Sequence, residues 1–215
     1  MIKIENVSIF GWRAAIRGMR NPKNSWDKSD SSVVDSHSFF VGDNDFALMR
    51  TLANAGTDHG KFMRMIHVQC DVTAPLYWWK EADQYKVGTV TDSCSTMHKI
   101  HAKEFTLDDF SHEHLSCIDI GSGVGSPYRL LQQTIVMLNE CRNLYLETKD
   151  KEYWWQMIQL LPSSYNQLRT LDLNYAVLKN IYHARKDHKL DEWHTFCDWI
   201  ESLQCSELIT GKEKK

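Results

Sequence analysis

The alternation in "FMRMIHVQCDVTAP", residues 62–75, constrains the fold of this chain more than any other stretch. Ile66, Val68, Cys70 and Val72 are interleaved with His67, Gln69 and Asp71. Successive side chains of a strand point to opposite faces, so this pattern predicts a strand over residues 62–73 with one face in a core. The chain then runs without a gap into "LYWWKEADQYK", which propensity predicts as a helix over 76–86. The following stretch is almost all polar and small, with Thr89, Thr91, Ser93, Cys94 and Ser95 inside seven positions. No core helix is written that way.

The flanking chain supplies mostly helices. "MIKIENVSIFGW" alternates well enough for an edge strand, and "WRAAIRGMRNPKNSW" reads as a short helix that Asn21-Pro22 terminates. A polar loop, "DKSDSSVVDSHS", follows. Asp43 or Asn44 is positioned to cap a helix carrying Phe46, Leu48, Met49 and Leu52, which stops at Gly56. From Pro127 to Leu161 nearly every residue favours a helix, until Leu161-Pro162-Ser163-Ser164 breaks it. Residues 165–185 and 190–208 read as two further amphipathic helices. The expected architecture is α+β, with helices around a small, mainly antiparallel sheet. At 215 residues the expectation is one domain over 1–210 and a charged tail over 211–215.

Lys and Arg number 25 against 28 Asp and Glu, a net charge of −3, so no overall field attracts nucleic acid or an anionic membrane. Any anionic ligand needs a local site. The six cysteines include no Cys-x-x-Cys pair and follow no secretory signal, which predicts reduced thiols in a cytoplasmic protein. No apolar run approaches the roughly 20 residues of a membrane span.

Two local motifs carry little. "SCIDIGSGVGSP", residues 116–127, resembles the first motif of Rossmann-type methyltransferases, yet that fold needs an acid-terminated second strand about 20 residues later, where this chain is helical. The plain reading is a glycine-rich loop between a short strand and a helix. His112, Glu113, His114 and Cys117 are metal-capable, but their spacing matches no common zinc pattern, and no metal is expected.

Residues 67–99, "HVQCDVTAPLYWWKEADQYKVGTVTDSCSTMHK", resemble without a gap the signature region of the flavin-dependent thymidylate synthases. In that family a strand leads into a helix that ends in Arg-His-Arg-x-x-Ser-x-Asn-Glu-x-Ser-x-Arg-Tyr. A second segment, "LLPSSYNQLRTLDLNYAVLKNIYHARKDHKLDEW", is similar to the family's downstream Leu-Pro, Asn-Ala-Arg and His-Ala-Gln elements. The resemblance implies that family's fold, an FAD cofactor, a nucleotide-like substrate for reductive methyl or hydride transfer, and a homotetramer.

Carried over position by position, Gln84, Tyr85 and Lys86 stand for the Arg-His-Arg triplet and Thr89 for the serine after it. Arg185 matches an arginine that contacts flavin, with His188 behind it, so these six residues are the implied cofactor set. Glu81, Asp92, Cys94 and Ser95 are the implied substrate set. Two family arginines are replaced, by Thr96 and Ala176. Neither side chain can pair a phosphate as a guanidinium does, so weak dUMP binding is expected. The alternative implied by these losses is a non-catalytic, nucleotide-sensing or assembly protein.

Overall fold

The computed structural model describes residues 2–35, 38–121 and 123–212. Residues 213–215 of the charged tail, residues 36 and 37 of the polar loop and residue 122 of the glycine-rich segment lie outside the described residues. Strand β1 (Lys3–Phe10) leads through Gly11 into helix α1 (Trp12–Arg20). A Cβ at Gly11, whose φ is +94°, would sit 1.9 Å from the carbonyl oxygen of Met65, so only glycine permits this approach.

Strand β2 (Ser32–Val33), inside the polar loop, pairs antiparallel with strand β3 (Phe39–Phe40), just beyond it. Helix α2 (Asp43–Asn54) follows. Neither Asp43 nor Asn44 caps it through a side chain. Asp30 does so from a distance, accepting hydrogen bonds from the backbone N–H groups of Asn44 (2.8 Å) and Asp45 (3.0 Å).

The strand expected over 62–73 begins later, as β4 (His67–Pro75). Residues Gly60–Met65 tighten into a 3-10 helix, because Phe62, Met63 and Ile66 are all buried and share a helical rather than a two-residue repeat. Helix α3 (Leu76–Ala82) is shorter than the expected 76–86 and buries Trp78 and Trp79. The hydroxyl-rich stretch supplies strand β5 (Val90–Ser93) and helix α4 (Thr96–Lys99). The long helical run divides into α5 (Pro127–Thr148) and α6 (Lys151–Leu160), since Lys149 turns left-handed at φ 59° and Asp150 caps the next helix through the Glu152 N–H.

Residues 165–185 are not one helix. Gln167, Leu171 and Leu173 are buried while Leu168 and Thr170 are exposed, a two-residue repeat that makes strand β6 (Asn166–Asn174) before helix α7 (Tyr175–Arg185). Helices α8 (Asp191–Ser202) and α9 (Glu207–Thr210) complete the described chain. The main sheet has the order β1-β4-β6-β5, leaving β1 at one edge as expected. The architecture is a small antiparallel sheet with many helices. Residues 116–121 form no strand, and Ile118 and Ile120 are 76% and 72% exposed, so these residues are a solvated loop.

The chain divides into two compact units. One comprises Met1–Lys3, Thr73–Ala82 and Ser93–Arg169; the other comprises Ile4–Val72, Asp83–Asp92 and Thr170–Lys215. The first has a core of Ile100, Phe105, Phe110, Leu131, Ile135, Leu138, Cys141 and Met157, where α5 packs on α6. In the second, α7 packs on α8, on α9 and on the 3-10 helix, and α1 and α2 pack on that same 3-10 helix.

A buried ion pair organises the start of the second unit. The Arg20 Nε donates to Asp45 Oδ1 at 2.6 Å, while its other two nitrogens donate to the carbonyls of Ser25 and Lys28. Asp45 Oδ2 accepts from the hydroxyls of Ser29 and Ser31, both at 2.7 Å, and from two backbone N–H groups. Burial alone would raise the Asp45 pKa, but the bonds from Ser31, Ser29 and Arg20 hold it below the usual carboxylate value. A depressed carboxylate contributes stability above its unfolded pKa and loses it as pH falls, so this unit weakens in acid. Asp45→Ala strands a buried guanidinium and is expected to cost about 3–5 kcal/mol in chemical denaturation. A loss under about 1 kcal/mol would show that the pair does not hold this region.

Candidate functional site

Asn174, the last residue of β6, sets the geometry from which the site is built. Its side chain is buried; Oδ1 accepts the Val177 N–H at 3.0 Å and so caps α7. Its Nδ2 approaches the Gly88 carbonyl at 3.4 Å, bringing the loop after α3 beside the start of α7. Gly88 has φ +78°, and a Cβ there would meet Asn174 Nδ2 at 2.9 Å and Val177 Cγ2 at 3.0 Å. Both backbone and space demand glycine.

From this junction the loop and the helix meet again at Tyr85 and Arg185, 100 residues apart in sequence. The Arg185 Nε donates to the Tyr85 hydroxyl at 2.9 Å. The guanidinium carbon lies 5.6 Å from the centre of the Tyr85 ring and 4.9 Å from that of Trp193, on α8. Such cation–π contacts hold an arginine flat while leaving its charge intact. His188 joins the group, with its ring 6.4 Å from Trp193 and its Nδ1 accepting the Leu190 N–H.

Of the cofactor residues implied by the sequence, Tyr85, Arg185 and His188 are therefore gathered into one cluster. Thr89 lies on the same loop, and its buried Oγ1 has no hydrogen-bond partner among the described residues. Gln84 and Lys86 are exposed on that loop. Trp193 completes the cluster, although in the sequence it reads only as one more aromatic of an amphipathic helix.

The implied substrate residues are divided. Asp92, exposed, belongs with the second unit, whereas Glu81, Cys94 and Ser95 belong to the first. There, Cys94 and Ser95 line a cavity of about 380 Å³ with Thr96, Lys99, Lys103 and Tyr165. Cys94 is positioned through its backbone: its N–H donates to the Leu168 carbonyl, and its carbonyl accepts from Gln167 Nε2 at 2.7 Å. Trp79 fixes that strand in turn, donating from Nε1 to the Gln167 carbonyl and lying 4.3 Å under the Arg169 guanidinium. Burial, with Asp109 and Cys94 nearby, pushes the Tyr165 phenol up, so it remains a neutral hydroxyl at physiological pH. Lys103 pairs with Asp109. Ser95 caps α4 by accepting from the His98 N–H.

A second cavity, of about 330 Å³, lies in the other unit around Ala176, one of the positions where the resemblance calls for arginine. Arg64, Lys179 and His183 line it with Thr57 and Asn180. The Lys179 Nζ donates to the Ala53 carbonyl at 2.8 Å, and burial lowers its pKa. Lys179 and His183 follow Ala176 by three and seven residues, the spacing of one helix face. That spacing is the signal in the sequence by which they could have been found.

Among the described residues no group of three His, Cys, Asp or Glu side chains is arranged to hold a metal. No helix of the described chain is long and apolar enough to cross a membrane.

No family profile and no curated protein matches the chain in sequence. Solved structures match it in fold over nearly its whole length. The crystal structure of thymidylate synthase X from Helicobacter pylori with FAD and dUMP superposes with a TM-score of 0.68 at 13% identity, covering 98% of this chain and 97% of that one. A second structure of the H. pylori enzyme with FAD and dUMP gives 0.66 at 14%, covering 96% and 97%. A UMP/dUMP methylase, PolB from Streptomyces cacaoi, bound with 5-Br dUMP gives 0.61 at 14%, covering 98% and 94%. At these identities the likeness is one of fold.

The junction predicts its own sensitivity. Gly88→Ala places a side chain in left-handed backbone, which alone costs about 1–2 kcal/mol, and presses it on Asn174 and Val177. Urea denaturation is expected to register at least that loss, with quenching of Trp193 fluorescence altered as Tyr85 shifts. A Gly88→Ala variant as stable as the parent would show that the loop does not hold this form.

Proposed function

We propose that this chain is a flavin- and nucleotide-binding protein of thymidylate synthase-like function. The observation that carries the reading is the Tyr85–Arg185 contact. Only the resemblance pairs those positions, through motifs a hundred residues apart, and they meet within one unit. The full-length likeness to proteins crystallised with FAD and dUMP, or with 5-Br dUMP, supports it.

The residues present fit a flavin nucleotide. Tyr85 and His188, both partly exposed, offer flat faces for a ring system, with the buried Trp193 behind them. Arg185 and Lys86 supply positive charge for a diphosphate, and the orphaned Thr89 hydroxyl supplies a buried group in need of a partner. Flavin, when bound, supplies hydride chemistry that no side chain offers. The protein's part is to bind and orient: Arg185 is held by Tyr85 and Trp193 so that little side-chain freedom is lost on meeting an anion.

A second reading, a nucleotide-sensing protein without catalysis, is favoured by Thr96 and Ala176, which remove two guanidiniums from the nucleotide's surroundings. On that reading thymidylate formation is absent and the purified protein carries no flavin absorbance. A homotetramer belongs to either reading. Leu130, Met137 and Leu144 stand one every seven residues along α5 and are 49%, 54% and 37% exposed, an apolar stripe suited to burial between copies. Light scattering is expected to give four chains per particle, and a monomer at micromolar concentration would contradict it.

The flavin claim is tested by titrating FAD into wild-type and Arg185→Ala protein. Loss of one charge-assisted contact, about 1.5–3 kcal/mol, predicts roughly ten- to a hundredfold weaker binding. Equal affinity in the two proteins would remove Arg185 from the site.

A further inference from the structure

A cavity of about 570 Å³ lies in the second unit, where the start of α1 meets the β2–β3 hairpin, and it includes none of the residues assigned above to flavin or nucleotide. A neighbouring cavity of about 390 Å³ shares Arg13, Val33 and Phe39 with it. Val33 and Phe39 are partners in the hairpin register, so this pair borders open space in both cavities. Phe10, 43% exposed, and Val33, 60% exposed, leave apolar surface uncovered around the larger one. A cavity of this volume with an apolar wall suits a small molecule.

The other side of the larger cavity is positive. Arg13 and Arg17 stand one turn apart on α1, both exposed, and neither makes a hydrogen bond or ion pair among the described residues. Asp35, the one acid of the lining, has a partner of its own. The helix adds donors to the two guanidiniums. Its N-cap is Gly11, where the Met65 carbonyl leaves no room for a Cβ, so no side chain caps α1, and no acid stands in its first turn. Trp12, Arg13 and Ala14, whose N–H groups form that uncapped turn, all line the cavity. Trp12 is only 2% exposed, and its Nε1 is buried with no hydrogen-bond partner among the described residues. A buried donor left unpaired costs free energy, which an acceptor brought within its reach recovers.

We propose that this cavity binds a small apolar carboxylate, an alkyl or aryl acid. Its carboxylate is held by Arg13, Arg17 and the first turn of α1, and its hydrocarbon body lies against Phe10, Val33 and Phe39. The guanidinium fork pairs a planar carboxylate through two parallel bonds. The apolar wall rewards hydrocarbon and penalises a second polar group, which selects a singly charged acid over a hydrated dianion. The inference is independent of the flavin and nucleotide readings.

The test is calorimetric titration of the full chain with octanoate, 3-phenylpropionate and their neutral amides. Each acid is expected to bind at least about tenfold more tightly than its amide, the difference that one charge-assisted contact makes. Arg13→Gln and Arg17→Gln, both at exposed positions, are each expected to weaken octanoate binding by about the same factor, with unchanged circular dichroism and thermal midpoint. Val33→Ser is expected to weaken octanoate binding while leaving affinity for acetate unchanged, because acetate carries no chain to reach the apolar wall. Amides that bind as tightly as the acids, or full octanoate affinity in the Arg13→Gln, Arg17→Gln double variant, would overturn the inference. So would wild-type protein that binds neither acid. Displacement of octanoate by FAD or dUMP would place the acid in another site and would also overturn it.

Discussion

The buried carboxamide of Asn174 is the interaction on which the candidate site depends. It ends a strand, caps the helix that follows and reaches the loop at Gly88. A helix is a stiff ruler with a rise of about 1.5 Å per residue, so fixing its first turn fixes everything further along it. Ala176, Lys179, His183 and Arg185 are therefore placed by one cap. Tyr85 is placed by the loop that the same side chain holds. The positions of these groups thus follow from one buried polar side chain.

Much of the fold was legible where the hydrophobic repeat was unambiguous. The edge strand β1, the short helix stopped before Pro22 and the helix ahead of Gly56 all lie close to where the residues put them. The failures share a physical cause: a segment whose burial is set by its neighbours rather than by its own pattern. Residues 62–66 carry apolar side chains at both spacings, and the packing of α1, α2 and α7 around them selects a 3-10 helix. Residues 166–174 read as helix because the run continues into a true one, although Leu171 and Leu173 flank an outward Asp172. The strand Val90–Ser93 is exposed throughout and lies at a sheet edge, so it has no alternation to read.

The site was legible in a different way. Composition and spacing do not join Tyr85 to Arg185; a register borrowed from a resemblance does, and the two side chains are in contact. The same register could not reveal Trp193 or the cations around Ala176, because it carries information only at positions the pattern names. Lys179 and His183 share a helix face legible in their spacing, but Arg64 joins them only through the packing of α7 against the 3-10 helix, which no local pattern encodes. Losing guanidiniums at two expected positions is consequently not the same as losing positive charge. Phosphate recognition depends on where cations converge, and helices permit that convergence to be rebuilt from neighbouring turns.

The central claim is that one chain binds both a flavin and a nucleotide, and ligand-dependent thermal stability addresses it most directly. A ligand that binds only the folded state raises stability by an amount set by its concentration relative to Kd, about 2.7 kcal/mol at roughly a hundredfold excess. The account predicts that FAD alone and dUMP alone each raise the unfolding midpoint of the purified chain, and that the two together raise it further. A midpoint unmoved by saturating FAD and dUMP would contradict it.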